Sequence, residues 1–181
     1  MVEAKENRVD NTWLVVKTKP RAEKKLAQQL NAAGYEAFAP TYTTLRQWSD
    51  RKKKVELPLI SGVIFIKNTD QNVGALYQFP HVTGILKEYN RPALVTQSEI
   101  NNLKILAKGN YQDEIENQAM SDFDVGVTVQ VKRGEFAGIV GELVAVNGKH
   151  RLVVQLRTLH MELVINIAKA NVEVVETKQV A

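Results

Sequence analysis

No cysteine occurs in the 181 residues, which excludes a disulfide framework, a thiolate metal site and a cysteine nucleophile. Histidine is nearly as scarce. His81, His150 and His160 are the only three, and none stands three or four residues from another, so metal-ligand spacing is missing. A lone histidine between strands reads as a surface or turn residue rather than a catalyst. No apolar run approaches the ~20 residues that cross a bilayer. The first residues, Met1 to Arg8, are charged and lack an apolar core, so a cytoplasmic protein without membrane contact is expected. Phosphate-cradling glycine loops, dinucleotide fingerprints and nucleophile elbows are also missing. Acidic pairs such as Asp113-Glu114 and Asp122/Asp124 read as solvated charge, and nothing supports an enzyme, a metal or a cofactor.

Acidic residues do not rise in number where basic ones gather. Residues 1–54 hold twelve Lys or Arg against six Asp or Glu, whereas the remainder holds twelve against fourteen. A one-sided positive field of this kind favours a polyanion, nucleic acid first, with a solvated lysine-rich face as the alternative.

Periodicity orders the chain. Thr12–Lys17 is an apolar, β-branched run and reads as a first strand. A helix is expected next, with Pro20 in its first turn, Gly34 just past its end, and Ala22, Leu26, Leu30 and Ala33 on one inward face. Lys24, Lys25, Gln28 and Gln29 fall on the other face and, with Lys19 and Arg21, make a basic surface at the helix start. Tyr35–Leu45 alternates like a strand. Arg51, Lys52, Lys53 and Lys54, beside Trp48, read as a mobile basic hairpin tip, where the ring either stacks a base or fills the hairpin end. Leu59–Ile66 is almost continuously apolar, as in a central strand buried on both faces. A short helix over Val73–Phe79, a strand over Val82–Tyr89 and a helix over Gln97–Lys108, capped by Thr96 or Ser98, complete this half.

From Gly109 to Asp122 the apolar periodicity fades into a polar linker. Five short strands follow: Val127–Val131, Ile139–Val146, Arg151–Leu156, Met161–Ile167 and Val172–Val175, with Asn147-Gly148 as a hairpin turn. Their density fits a small antiparallel barrel. The domain division is therefore 10–108, a linker over 109–122, and 123–177.

Gly134, Gly138 and Gly141 punctuate Val131–Gly141 inside a run of β-formers. The stretch reads either as an ordinary bulged hairpin or as a KOW motif, whose basic turn, Phe136 and glycine-broken strand it resembles. Trp13–Lys17, the basic helix, Tyr35–Pro40, the Lys-rich hairpin and Leu57–Phe65 precede it in order and spacing. Together, from Trp13 to about Val175, they resemble the NusG family, closest to the operon-specific RfaH and UpxY paralogues.

The resemblance implies an α+β N-terminal domain, an antiparallel sheet flanked by helices, followed by an all-β, SH3-like, five-stranded KOW barrel. It implies transcription elongation or antitermination at specific operons such as surface polysaccharide loci, by a monomer that bridges the polymerase clamp without covalent chemistry. Ile60, Val63, Phe65 and Ile85 would line an apolar concavity for the β′ clamp helices of RNA polymerase, with plain core as the alternative. Ile60, Ser61 and Val63 stand where the family usually has Phe, Pro and Tyr, so two rings are lost. Lys19, Arg21, Lys24 and Lys25, with Arg51 to Lys54, would meet the non-template DNA strand or nascent RNA. The family's His-Thr-Thr segment has no match near Asn72-Val73-Gly74. Phe136 and Ile139 would meet a small-subunit ribosomal protein or Rho, or simply close the barrel. The β-branched load of the last third disfavours helix, so a permanent barrel is expected. A ribosome-associated or RNA-binding KOW protein is the alternative function, and a nucleic-acid-processing enzyme, which needs acidic metal ligands, is a third.

Overall fold

The computed structural model of the chain describes residues 11–47, 50–68, 73–108, 110–111, 116–119, 127–146 and 149–175. Trp48, Asn72 and Asn147-Gly148 lie outside them. Two compact units result, one from residues up to Thr41 with Ile60–Ile100, the other from Tyr42–Leu59 with residues from Asn101 onward. The strand-rich C-terminal region thus groups with Tyr42–Leu59 as well.

In the first unit the apolar run near the N-terminus forms β1 (Thr12–Thr18), followed by helix α1 (Glu23–Ala32) and β2 (Ala37–Phe38). Helix α1 starts later than expected. Pro20 lies in a turn closed by Ala22 N–H to Lys19 O at 3.1 Å, with Arg21 at φ +64°, as at the third position of a type II turn. The helix ends in a Schellman motif, Tyr35 N–H to Leu30 O (3.0 Å) and Gly34 N–H to Asn31 O (3.1 Å). Ala33 is consequently past the helix and exposed.

Strands β3 (Thr41–Gln47) and β4 (Lys52–Pro58) are joined in a separate three-stranded sheet. Arg51 immediately precedes β4, and Lys52–Lys54 are its exposed first residues, where a basic loop was expected. The apolar run 59–66 is not one strand. It bends at Leu59–Gly62 before β5 (Val63–Lys67), because Gly62 turns the chain at φ +73°.

β5 lies in the interior of its sheet as its apolarity predicts, antiparallel to β1 with Val15 opposite Phe65 and Val16 opposite Ile64. After a 3-10 turn (Val73–Gln78), β6 (Val82–Ile85) pairs with one end of β1, and β9 (Leu94–Thr96) pairs with the other end along the same chain edge. Between them β7 (Lys87–Glu88) and β8 (Arg91–Pro92) form a hairpin of their own, closed at its base by Ala93 N–H to Leu86 O at 2.8 Å.

Strand alternation sends Leu14, Val16, Ile64, Ile66 and Ile85 to one side of this sheet, where they pack with Leu26 and Leu30 of α1. Each such leucine contributes about 1.5–3 kcal/mol by leaving water. Trp13, Val15 and Phe65 fill the opposite face and are equally buried. There the Trp13 indole N–H donates to Gln97 Oε1 at 2.8 Å, tying the sheet to the start of helix α2 (Gln97–Leu106).

Of the two expected caps Thr96 is the one used. Its hydroxyl donates to Glu99 Oε2 at 2.8 Å and accepts from the Glu99 N–H at 3.3 Å, while its own N–H donates to Glu99 Oε2 at 2.9 Å, a complete capping box. Thr96→Ala is expected to lower stability by about 1 kcal/mol in urea titration, with unchanged packing elsewhere.

The second unit departs from the expected closed barrel. β12 (Val127–Val131), β13 (Val140–Val146), β14 (Lys149–Leu156), β15 (Met161–Asn166) and β16 (Val172–Val174) occur where alternation placed five strands. With β11 (Glu116–Ala119) they form an open antiparallel sheet in the order β11-β15-β14-β13-β12-β16. β11 and β10 (Asn110–Tyr111), which runs parallel to β3, fall in the stretch expected to be linker. An edge strand pairs on one side only, so Glu-Asn-Gln-Ala can serve without the apolar pattern of a central strand. Among the described residues β11 and β16 remain unpaired with each other.

Candidate functional site

The end of β1 is clasped from two sides: Thr18 N–H donates to Gly62 O (2.9 Å) and Lys19 N–H to His81 O (3.1 Å). A third tie comes from Glu23, a buried carboxylate in the first turn of α1 whose Oε1 accepts the Gly62 N–H at 2.6 Å. A carboxylate is favoured at a helix N-terminus by the exposed N–H groups and the macrodipole. These bonds bring Gly62 and Val63 to the same end of the sheet as the basic segment. Lys19, Arg21, Lys24 and Lys25 are all exposed there.

Sequence reasoning missed two contributors. Lys17 sits directly opposite Val63 and Gly84 in the sheet and is exposed, which the alternation of Val15, Lys17 and Lys19 could have signalled. Glu23 leaves no such signal, because an acidic residue among lysines reads as surface charge.

The four residues expected to line one apolar concavity do not share a face. Ile85 pairs opposite Val16 and belongs to the α1 side, whereas Phe65 and Val63 pair with Val15 and Lys17 on the other side. A side-chain period of two fixes this separation. Ile60, Phe65 and Ile85 are buried, and only Val63 is half-buried with surface to offer. Arg51–Lys54 are exposed and belong to the other unit.

In the second unit the Val131–Gly141 loop is tightly folded. Gly138 N–H donates to Val131 O (2.9 Å), Val131 N–H to Ile139 O (2.9 Å) and Ile139 N–H to Phe136 O (3.1 Å). Ile139 is fully buried and Phe136 half-buried, so of the two expected partner contacts only Phe136 presents surface. Asn102 of α2 reaches the start of β13. Its Nδ2 donates to Val140 O at 3.0 Å and its Oδ1 accepts from Val140 N at 3.4 Å, so the amide binds the backbone as a neighbouring strand would. Among the described residues no three His, Asp or Glu side chains come together to hold a metal, and no helix is long and apolar enough to cross a membrane.

Residues 11–104 match the family model for the transcription termination factor nusG. No curated protein matches the chain. Among solved structures, the chain is similar to Thermotoga maritima NusG, described for its domain interaction, at 20% identity and TM-score 0.49, over 92% of this chain and 98% of that one. It is also similar to a chain of the MjSpt4:Spt5 complex in conformation A, at 15% identity and TM-score 0.30, covering 90% and 97%. Conformation B of that complex gives 16% identity, TM-score 0.30, and 91% and 97% coverage. The family match takes in β1, α1, the central sheet and most of α2, more than half of the sequence, and the chain therefore belongs to the NusG family of transcription factors.

Proposed function

We propose that this protein is an antitermination and elongation factor of the RfaH/UpxY type, acting at specific operons such as surface polysaccharide loci by holding the RNA polymerase clamp and suppressing pausing and termination. The observation that carries this reading is the convergence of the Val63 surface with exposed Lys17, Lys19, Arg21, Lys24 and Lys25 at one end of the family-matched sheet. The β′ clamp helices meet the sheet around Val63, with Phe65 as the buried support beneath that face. The basic residues follow the non-template DNA strand or nascent RNA, since phosphate contacts set position and affinity without reading sequence. The C-terminal strands, through Phe136, recruit a small-subunit ribosomal protein or Rho. The protein works in the cytoplasm as a monomer.

The electrostatic part has a direct test. Replacing Lys19, Arg21, Lys24 and Lys25 together by Gln is expected to weaken binding to single-stranded DNA and to flatten its salt dependence by up to about 2.8 in log–log slope, about 0.7 for each phosphate no longer neutralised. An unchanged slope in a folded variant would remove these residues from the interface. Pull-down from lysate discriminates the ribosome-associated alternative: the proposed reading expects co-purification with RNA polymerase, the alternative with ribosomal subunits.

A further inference from the structure

The β7–β8 hairpin projects from the edge of the first sheet, where β6 and β9 share one side of β1. Its two-residue turn is Tyr89-Asn90, with φ +46° and +65°. Positive φ at both positions is the type I′ pattern that Asn-Gly or Asp-Gly satisfies without strain. Asn tolerates it, whereas a bulky residue there is a true outlier. Folding supplies no compensation, because Tyr89 is 94% exposed and its ring packs on nothing. Protection of a sheet edge explains Lys87, Glu88, Arg91 and Pro92, which are the residue types that discourage edge pairing. It does not explain an aromatic ring at the apex.

We propose that Tyr89 is a stacking platform for an unpaired nucleobase, with Lys87 and Arg91 beside it meeting the flanking phosphates of a single strand. Register places Glu88 opposite Arg91 and Lys87 opposite Pro92, so the hairpin carries two cations against one anion. An apolar patch around the ring would favour a protein partner. The other hairpin residues, Lys87, Glu88, Asn90, Arg91 and Pro92, are exposed and mostly charged or polar, which suits one planar base in a charged strand. The site is distinct from the Lys19–Lys25 surface and does not depend on it.

Titration of a fluorescein-labelled oligothymidylate, followed by anisotropy with the intact protein, tests the assignment. Tyr89→Gly is expected to weaken binding about 5- to 150-fold, the range for removal of one base–aromatic stack. The same substitution relieves the left-handed strain and is expected to raise Tm by about 2–4 °C. Tyr89→Phe keeps the ring and is expected to bind as the parent does. Lys87→Gln with Arg91→Gln is expected to lower the salt slope by about 1.4. Parental affinity in Tyr89→Gly overturns the proposal. So does weaker binding accompanied by a lower Tm, and so does intact oligonucleotide binding combined with failure to capture RNA polymerase, which would make the hairpin a protein-binding element.

Discussion

Phe65→Ala is expected to lower the free energy of unfolding by about 3–5 kcal/mol, the usual cost of emptying an aromatic site in a packed core. Phe65 is fully buried and sits between Val15 on β1 and Phe38 on β2. Strands on both sides fix its backbone, so the surrounding structure has little freedom to collapse into the space. Chemical denaturation with circular dichroism measures the loss, and the midpoint should fall with an unchanged slope. Val63→Glu, two residues earlier on the same face, replaces a half-buried side chain opposite Lys17. It is expected to change stability by less than about 1 kcal/mol. The contrast has a functional consequence. Weaker polymerase binding in Phe65→Ala combines unfolding with damage to the interface, whereas weaker binding in Val63→Glu reports on the interface alone.

Gly141→Ala is expected to destabilise the second unit by about 2–3 kcal/mol, more than any other single methyl group added to the glycine-rich loop. A Cβ at residue 141 would stand 2.7 Å from the Val153 carbonyl oxygen and 3.1 Å from Leu152 Cδ1. The backbone oxygen cannot yield without disturbing the β13–β14 ladder, in which Glu142 pairs with Val153. Gly138→Ala meets a different obstacle, a φ of +97° and Ile105 Cδ1 at 3.3 Å, and is expected to cost about 1–2 kcal/mol. Gly84→Ala is the control. Nothing lies within 4 Å of its added Cβ, and the change should stay within about 0.5 kcal/mol. Amide hydrogen exchange at Val129, Val131, Leu152 and Val154 separates loosening of this sheet from global unfolding.

Alternation makes the C-terminal strands legible because their inward positions carry Val, Leu and Ile while the turns between them carry Gly, Asn and charge. The same logic fails for Glu116–Ala119. An edge strand needs only one hydrogen-bonded neighbour, so β11 can be polar and leaves no periodic trace. Leu59–Ile66 misleads in the opposite direction. Its almost continuous apolarity reads as one strand, but Leu59 and Ile60 are buried in a bend, and burial in a bend looks like burial in a sheet. The start of α1 falls later than the pattern suggests because proline suits both a first helical turn and the second position of a β-turn.

At the site, the basic residues are visible as composition and remain exposed in the fold. Which apolar residues share a face is not visible, because that depends on the register of β1 against β5 and β6, a long-range property. Glu23 and Lys17 acquire their roles only through Gly62 and Val63, some forty residues away. Tyr89 reads as the end of a strand, and only its backbone conformation distinguishes it from an ordinary β residue.

Binding to an isolated fragment carrying the β′ clamp helices tests whether this NusG-family protein holds the polymerase clamp through its Val63 face. Saturable binding by the intact protein is expected, together with at least about tenfold weaker binding by a Val63→Glu variant that melts as the parent does. No binding by the intact protein, or equal affinity in the folded Val63→Glu variant, would contradict it.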